Sequence, residues 1–510
     1  MTARQGLIRP TVLALAAVAA FSACEPTPDT TLIQNVLIVD GTGAPAYNGA
    51  VRIQGDHIFS VAAELAPSPN EIVIDGDGLV LAPGFIDTHS HHAGGLAEMR
   101  DARAVVNQGI TTVVVGQDGG SASDLAGFLA GLEAEPAAMN VATYSGHGTL
   151  RRRVMGDDLR RTATQEEIDS MAILLRQDME AGAIGLSTGL EYAAAFESST
   201  EEVIQLAKVA AEYGGRYMSH IRSEDRTFWA AIDEIIRIGD EADIPVQVAH
   251  MKLAMTSLWG RTDELIAKLD SARAAGIDIT ADVYPWTYWQ STMTVLVPDG
   301  NFTREAVAFA LQEVATPDGI IFGRFTPELS YQGHTLEEIA ETRGEDAVTA
   351  YLALLDMVYG DDAPEDAGES IVARSMVEED IGKLYAWEHT NVCTDGGLDS
   401  AHPRGYGSFT RVLRRYVREE GMLTLEEAVH RMTQLAAQHV GMQNRGVIAE
   451  GMWADLVLFD LETVSDHATF EAPHELSTGV EGVWVNGVLV WNGAATSGAY
   501  PGKVVRRGDY

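Results

Sequence analysis

Only two cysteines occur in 510 residues, Cys24 and Cys393. Cys24 falls in the leader described below, so no disulfide framework is expected. Basic residues are scarce: 35 Lys and Arg stand against 74 Asp and Glu, a formal net charge of -39. A phosphate backbone needs a basic face, which excludes nucleic acid as a partner. The acidic balance reads as a solvated surface. Beyond the N-terminus no segment reads as membrane-spanning. What is present is 46% apolar residues and 50 glycines. That is a globular chain with many tight turns, long enough for a large catalytic domain and a smaller one.

Residues 1–24 read as a lipoprotein signal peptide. Arg4 and Arg9 give a basic start, and "TVLALAAVAAF" is apolar but too short to span a bilayer. "FSAC" then places small residues before Cys24, the pattern of a bacterial lipoprotein processing site, with Phe21 departing from the usual aliphatic residue. The expectation is an exported, periplasmic protein whose membrane contact is a lipid anchor on Cys24. An ordinary cleaved signal peptide is the alternative.

From Thr31 short apolar runs alternate with Gly and Asp turns, and the C-terminal end repeats the style in "ADLVLFD" and "GVWVNGVLVWNG". Asn486-Gly487 is a hairpin signal. The middle alternates strands and helices. Thr164 and Glu167 form a capping box ahead of the apolar face Ile168, Met171, Leu175 and Met179. Ser199 and Glu202 suggest a second box, and Gly214 a stop. Eight strand candidates from "GFIDTH" onward predict a closed (β/α)8 barrel, a TIM-like α/β fold. The expected division is 25–82 and 441–510 as two parts of a small β-sandwich, and 83–440 as the barrel. A helical lid is expected over about 296–389, a stretch too long for an ordinary connection.

Strand candidates one to eight end in His89 and His91, Asp118, His147, Glu191, His220, His250, Tyr284 and Asp395. In such a barrel all of these ends meet at one mouth. Alternate residues of a strand point to the same side, so His89 and His91 can grip one cation while His92 points elsewhere. Four imidazoles with carboxylates suit zinc, one or two ions, and are compatible with manganese or cobalt.

The segments "LAPGFIDTHSHH", "SGHGTLR", "GAIGLSTGLEY", "GGRYMSHIRSE", "VQVAHMK", "ADVYPWT", "TDGGL" and "HPRGYGSF" resemble, in order, the amidohydrolase superfamily in its branch of N-acyl-D-amino-acid deacylases and related dipeptidases. The resemblance implies a (β/α)8 barrel with a small β-sandwich built from both termini. It also implies that His89 and His91 hold one metal and His220 and His250 the other. Asp395 is implied to touch metal and to act as general base and acid. Many members carry a cysteine in "GNCG" after strand two, whereas this chain has "GQDG" with Asp118 there. Glu191 at the end of strand four is then the first candidate to bridge the metals, and Asp118 the second.

The expected reaction is amide hydrolysis. Two cations about 3.5–4 Å apart lower the pKa of a shared water, and the hydroxide attacks a polarised carbonyl. Asp395 takes the proton and returns it to the leaving nitrogen. The substrate is a small molecule bearing a carboxylate, an N-acyl-D-amino acid or a D-residue dipeptide. Lys252 and Tyr284 occupy places the family uses for that carboxylate; Arg222 and Arg404 are further candidates. His147 is placed to hydrogen-bond the oxyanion or substrate, or to act behind the site. Trp286, Tyr288 and Trp289 offer an apolar wall. Alternative readings are a cyclic-amide or imino-dipeptide hydrolase, and, from another class, a non-catalytic ligand-binding lipoprotein.

Overall fold

The computed structural model describes residues 30–508; the leader, with Cys24, lies outside them. Eight parallel strands form the barrel: Phe85–Asp87, Ile110–Val115, Asn140–Thr143, Gly185–Gly189, Arg216–His220, Val246–Val248, Ile279–Val283 and Thr390–Val392. Nearly every residue of these strands is buried, as a sheet covered by helices requires. The third and fourth strands join where Ser145 pairs with Leu186. The ring closes between the eighth and the first: the Asp395 N–H donates to His89 O at 2.9 Å, and the His91 N–H to Gly396 O at 2.8 Å.

Both ends of the chain build one eight-stranded sheet, in which Leu456–Phe459 runs antiparallel to Val80–Pro83. Ile33, Val51, Leu81, Leu456 and Trp484 share its core. The sheet curls far enough for its two ends to touch. At the Asn486-Gly487 hairpin both residues have positive φ, 47° and 79°, and a Cβ on Gly487 would lie 2.0 Å from Gly55 O. Only glycine fits there.

The helix Gln165–Ala181 has the expected closed capping box of Thr164 and Glu167, with Ile168, Met171, Leu175 and Met179 buried. At Thr200–Glu212 the sequence misleads in part. Ser199 accepts from the Glu202 N–H at 3.1 Å, but the Glu202 carboxylate turns inward instead of back to the cap.

The long connection after the seventh strand is not the all-helical lid expected over 296–389. Its helices Arg304–Glu313, Leu336–Arg343 and Ala347–Tyr359 accompany a three-stranded antiparallel sheet of Tyr288–Ser291, Ile320–Phe325 and Glu369–Arg374. The alternating pattern of "IIFGRF" and the β-branched centre of "ESIVAR" favour strands. Helix Glu378–Ala386 returns to the barrel wall beside Thr262–Ala274.

Within this insertion Glu369 is buried, accepting from Tyr359 Oη at 2.6 Å and Met293 N at 2.8 Å. Burial pushes its carboxyl up to about 7, more than these two hydrogen bonds pull it down. A raised folded pKa favours the protonated form. The contribution of Glu369 to stability is therefore complete below its ordinary value of 4.5 and is lost as pH rises through about 7. Limited proteolysis of the insertion should quicken from pH 5 to pH 8 in the wild type and change less in Glu369→Gln. Equal pH dependence in both would contradict this.

Candidate active site

The C-terminal ends of the strands meet at one mouth, and three of the residues there leave the strands through left-handed backbone. Asp118, His250 and Asp395 have φ of 54°, 32° and 48°. Non-glycine residues rarely adopt this region, and they concentrate where side chains must be aimed. Here it turns carboxylates and an imidazole into the barrel axis.

Donor atoms of His89, His91, Asp118 and Asp395 lie within 4.8 Å of one another, and so do those of Asp118, His220 and His250. Asp118 belongs to both groups. Its Oδ1 lies 3.4 Å from His89 Nε2 and 3.4 Å from His250 Nε2, and its Oδ2 3.3 Å from His91 Nε2. Asp395 Oδ1 stands 3.1 Å from His91 Nε2 and 3.5 Å from His89 Nε2. Neither ring nitrogen of the buried His89 makes a hydrogen bond, nor does Asp118 Oδ1. Buried polar atoms are seldom left without partners. Oriented imidazoles and carboxylates with free lone pairs fit a divalent transition metal.

The order expected for the bridging carboxylate is reversed by this geometry. Glu191 groups with His220 and Glu224, its Oε2 3.0 Å from His220 Nε2, and it does not join the His89–His91 group. The carboxylate between the two groups is that of Asp118. Burial, with Asp225 and Glu224 nearby, pushes the Glu191 carboxyl well above its ordinary range. Burial also opposes charge on Asp118, but His89 and His250 outweigh it and hold that carboxyl well below the usual range.

Behind the histidines lies a residue the sequence did not single out, Asp282. It accepts the His250 N–H at 2.6 Å and Gln247 Nε2 at 2.6 Å, and stands 3.8 Å from His89 Nδ1. Carboxylates in such places orient ligating imidazoles. Glu224 was also missed; it lies four residues past His220, and only a helical offset would have linked the two. Its Oε1 accepts from Lys252 Nζ at 2.6 Å.

Asp395 Oδ2 pairs with Arg404 Nη1 at 2.6 Å. Burial works against the ionised Asp395, yet Arg404, His89 and His250 prevail and keep it far below the ordinary carboxylate range. Lys252 and Arg404 line a cavity beside these carboxylates, together with Glu191, His220, Glu224 and His250. Tyr284 is buried between Lys252 and Arg404, whose charged groups lie 5.9 and 4.8 Å from its ring. Of the aromatic segment only Trp289 lines the cavity; Trp286 and Tyr288 pack against Phe470.

Two expected substrate contacts are absent from the mouth. Arg222 is held by Glu234 at 2.8 Å and donates to Phe196 O, beside a separate cavity. His147 opens a helix and points into the barrel wall, where Nε2 meets Glu202 at 2.8 Å. Arg151 Nη1 meets the same carboxylate at 2.5 and 2.7 Å. All three side chains are fully buried. Glu202→Gln strands the Arg151 charge and should cost about 3–5 kcal/mol of stability. Chemical denaturation measures it, and a loss within error would refute the role given to this cluster.

The sequence matches the model of the amidohydrolase family over residues 72–320 and 332–491. It is 35% identical to the D-aminoacylase of Alcaligenes xylosoxydans xylosoxydans, covering 95% of this chain and 99% of that one. It is 36% identical to the N-acyl-D-glutamate deacylase of the same organism, over 93% and 96% of the two chains. A crystal structure of N-acyl-D-glutamate deacylase from Bordetella bronchiseptica, bound to zinc and a phosphonate mimic of the tetrahedral intermediate, superposes with a TM-score of 0.84. That match has 34% identity and covers 94% of this chain and 100% of the other. The chain therefore belongs to the amidohydrolase family, alongside the N-acyl-D-amino-acid deacylases.

Proposed function

We propose that the protein is a metal-dependent hydrolase of the amide bond in N-acyl-D-amino acids or D-residue dipeptides, with zinc as its metal. The observation that carries this is the pair of donor groups sharing Asp118, whose Oδ1, like His89 Nε2 in the first group, makes no hydrogen bond. His89, His91, Asp118 and Asp395 would hold one cation, and Asp118, His220 and His250 a second. A bound divalent cation there supplies Lewis acidity, polarising a carbonyl and lowering the pKa of water towards neutrality.

The remaining chemistry falls to the chain. Arg404 fixes Asp395 Oδ2, so Oδ1 faces the histidines ionised and ready to accept a proton from water. The same oxygen then returns the proton to the leaving nitrogen. Lys252 and Arg404 stand beside the cavity as cations for the substrate carboxylate, and Tyr284 between them offers a hydroxyl that no other group uses.

Incubating the zinc-loaded protein with N-acetyl-D-amino acids and D-residue dipeptides should release free amino acid. Chelation should stop the release, and added zinc should restore it. Turnover confined to cyclic amides, or unaffected by chelation, would sink the reading. We also propose export and lipid anchoring at Cys24. Cell fractionation should then find wild type in membranes and Cys24→Ala outside them; a cytoplasmic wild type would contradict this.

A further inference from the structure

A separate cavity opens at the other end of the barrel, where the strands begin. It holds about 490 Å³, within the range of small-molecule pockets. Arg216 starts the fifth strand, Asp278 directly precedes the seventh, and His389 the eighth. Arg273 and His439, the last residue of helix Gln434–His439, line the same space.

The charge here is the reverse of the chain's. The chain carries 74 acidic residues against 35 lysines and arginines. This cavity is lined by two arginines and two histidines against one carboxylate, Asp278. Asp278 answers Arg273 at 3.2 Å, and Arg273 Nη1 also donates to Ile279 O at 2.6 Å. The half-buried guanidinium of Arg216 has neither a hydrogen bond nor an ion pair among the described residues. Its flat fork of donors matches the oxygens of a carboxylate or phosphate.

His439 adds a directed group. It is buried, and its Nδ1 lies 2.7 Å from Asn391 Oδ1. The Asn391 amide nitrogen donates to Thr88 Oγ1 and Val392 O, so its oxygen accepts and His439 Nδ1 carries the hydrogen. Nε2 is the nitrogen left over, a donor once protonated. The helix brings no competing acceptors, because its last carbonyls, of Ala436, Ala437 and Gln438, already take the N–H groups of Val440, Met442 and Gly441. Burial, and then Arg216, His389 and Arg273, push the His439 imidazole well below its ordinary range. An anion among these groups relieves their mutual repulsion.

We infer that this cavity binds a small oxyanion bearing two negative charges, held by Arg216, Arg273 and His439. Arg216 meets one charge in full. Arg273, partly answered by Asp278, and a protonated His439 meet the other. The site lies apart from the metal centre, and the inference does not depend on the hydrolase reading.

Titration calorimetry of the zinc-loaded protein in chloride buffer at neutral pH, with sulfate as the probe, tests this. Sulfate should bind saturably, with Kd below about 10 mM. Arg216→Gln should weaken binding about tenfold or more, the scale of a lost hydrogen bond to a charged group. Its fold should survive, because no protein partner is lost. Arg273→Gln is the second variant and should weaken binding in the same direction. Succinate and glycerol 3-phosphate, titrated in turn, separate a dicarboxylate from a phosphoryl ligand, and the tighter of the two names the class. No saturable binding of any of the three would overturn the inference. Sulfate binding unchanged in both folded variants would overturn it as well, by placing the anion elsewhere, at the metal centre for instance.

Discussion

Asp395→Ala should lower kcat by about 10³-fold, the scale of a positioned general base and acid. Zinc content should fall much less, because His89, His91 and Asp118 remain as donors. Asp395 is held from two sides: its backbone N–H donates to His89 O, and Arg404 grips its Oδ2. Its Oδ1 points to where His89 and His91 converge, 3.1 Å from His91 Nε2. Asp395→Asn is the sharper variant. It keeps the shape and an oxygen that Arg404 can reach, and removes the negative charge and with it the basicity. Stopped assays with elemental analysis of the same samples separate the two effects. Retained turnover in either variant, with metal bound, would remove Asp395 from its role.

Alanine also unpairs Arg404, a buried guanidinium, and a lone buried charge destabilises by about 3–5 kcal/mol. Thermal unfolding of both variants separates that loss from the chemical one. Asn should fall between wild type and Ala in stability, yet match Ala in rate. A catalytic role that was merely structural would make rate follow stability instead.

The residues at the mouth were legible because a parallel barrel concentrates strand ends, so eight short apolar runs suffice to name His89, His91, Asp118, Glu191, His220, His250 and Asp395. Alternation separated His91 from His92, whose Nδ1 meets Ser90 Oγ at 2.5 Å, apart from the cluster. At Arg222, two residues past His220, alternation gives no guide, because the strand and its extended backbone end at His220. His147 was misplaced for a similar reason: a helix begins at that residue. The choice between Glu191 and Asp118 depends on a left-handed turn at Asp118, which residue types alone do not reveal. Asp282 and Glu224 work through other side chains, and long-range partners leave no local pattern. In the insertion, the expected length of the connection suggested helices alone, whereas the alternation of "IIFGRF" and the β-branched centre of "ESIVAR" favour the strands that pair there.

Asp118→Ala is the second decisive variant. Among the described residues it removes the carboxylate common to both donor groups, whose two oxygens lie 3.3–3.4 Å from His89, His91 and His250. Metal content should drop by about one ion per chain or more, and kcat/KM by about 100-fold, since even an outer partner of a ligand is worth 10- to 100-fold. Glu191→Gln should cost less in metal, because Glu191 reaches only His220 and Glu224. Asp118→Cys supplies a thiolate in the same place, an anionic donor that suits zinc, and should recover much of the metal lost in Asp118→Ala. The ranking of the three variants carries the argument. If Glu191→Gln loses more metal than Asp118→Ala, the bridge is on strand four and the Asp118 turn serves only to shape the loop. If Cys recovers nothing over Ala, the carboxylate at 118 acts by its two-oxygen geometry, with Oδ1 towards His89 and His250 and Oδ2 towards His91, rather than by its charge.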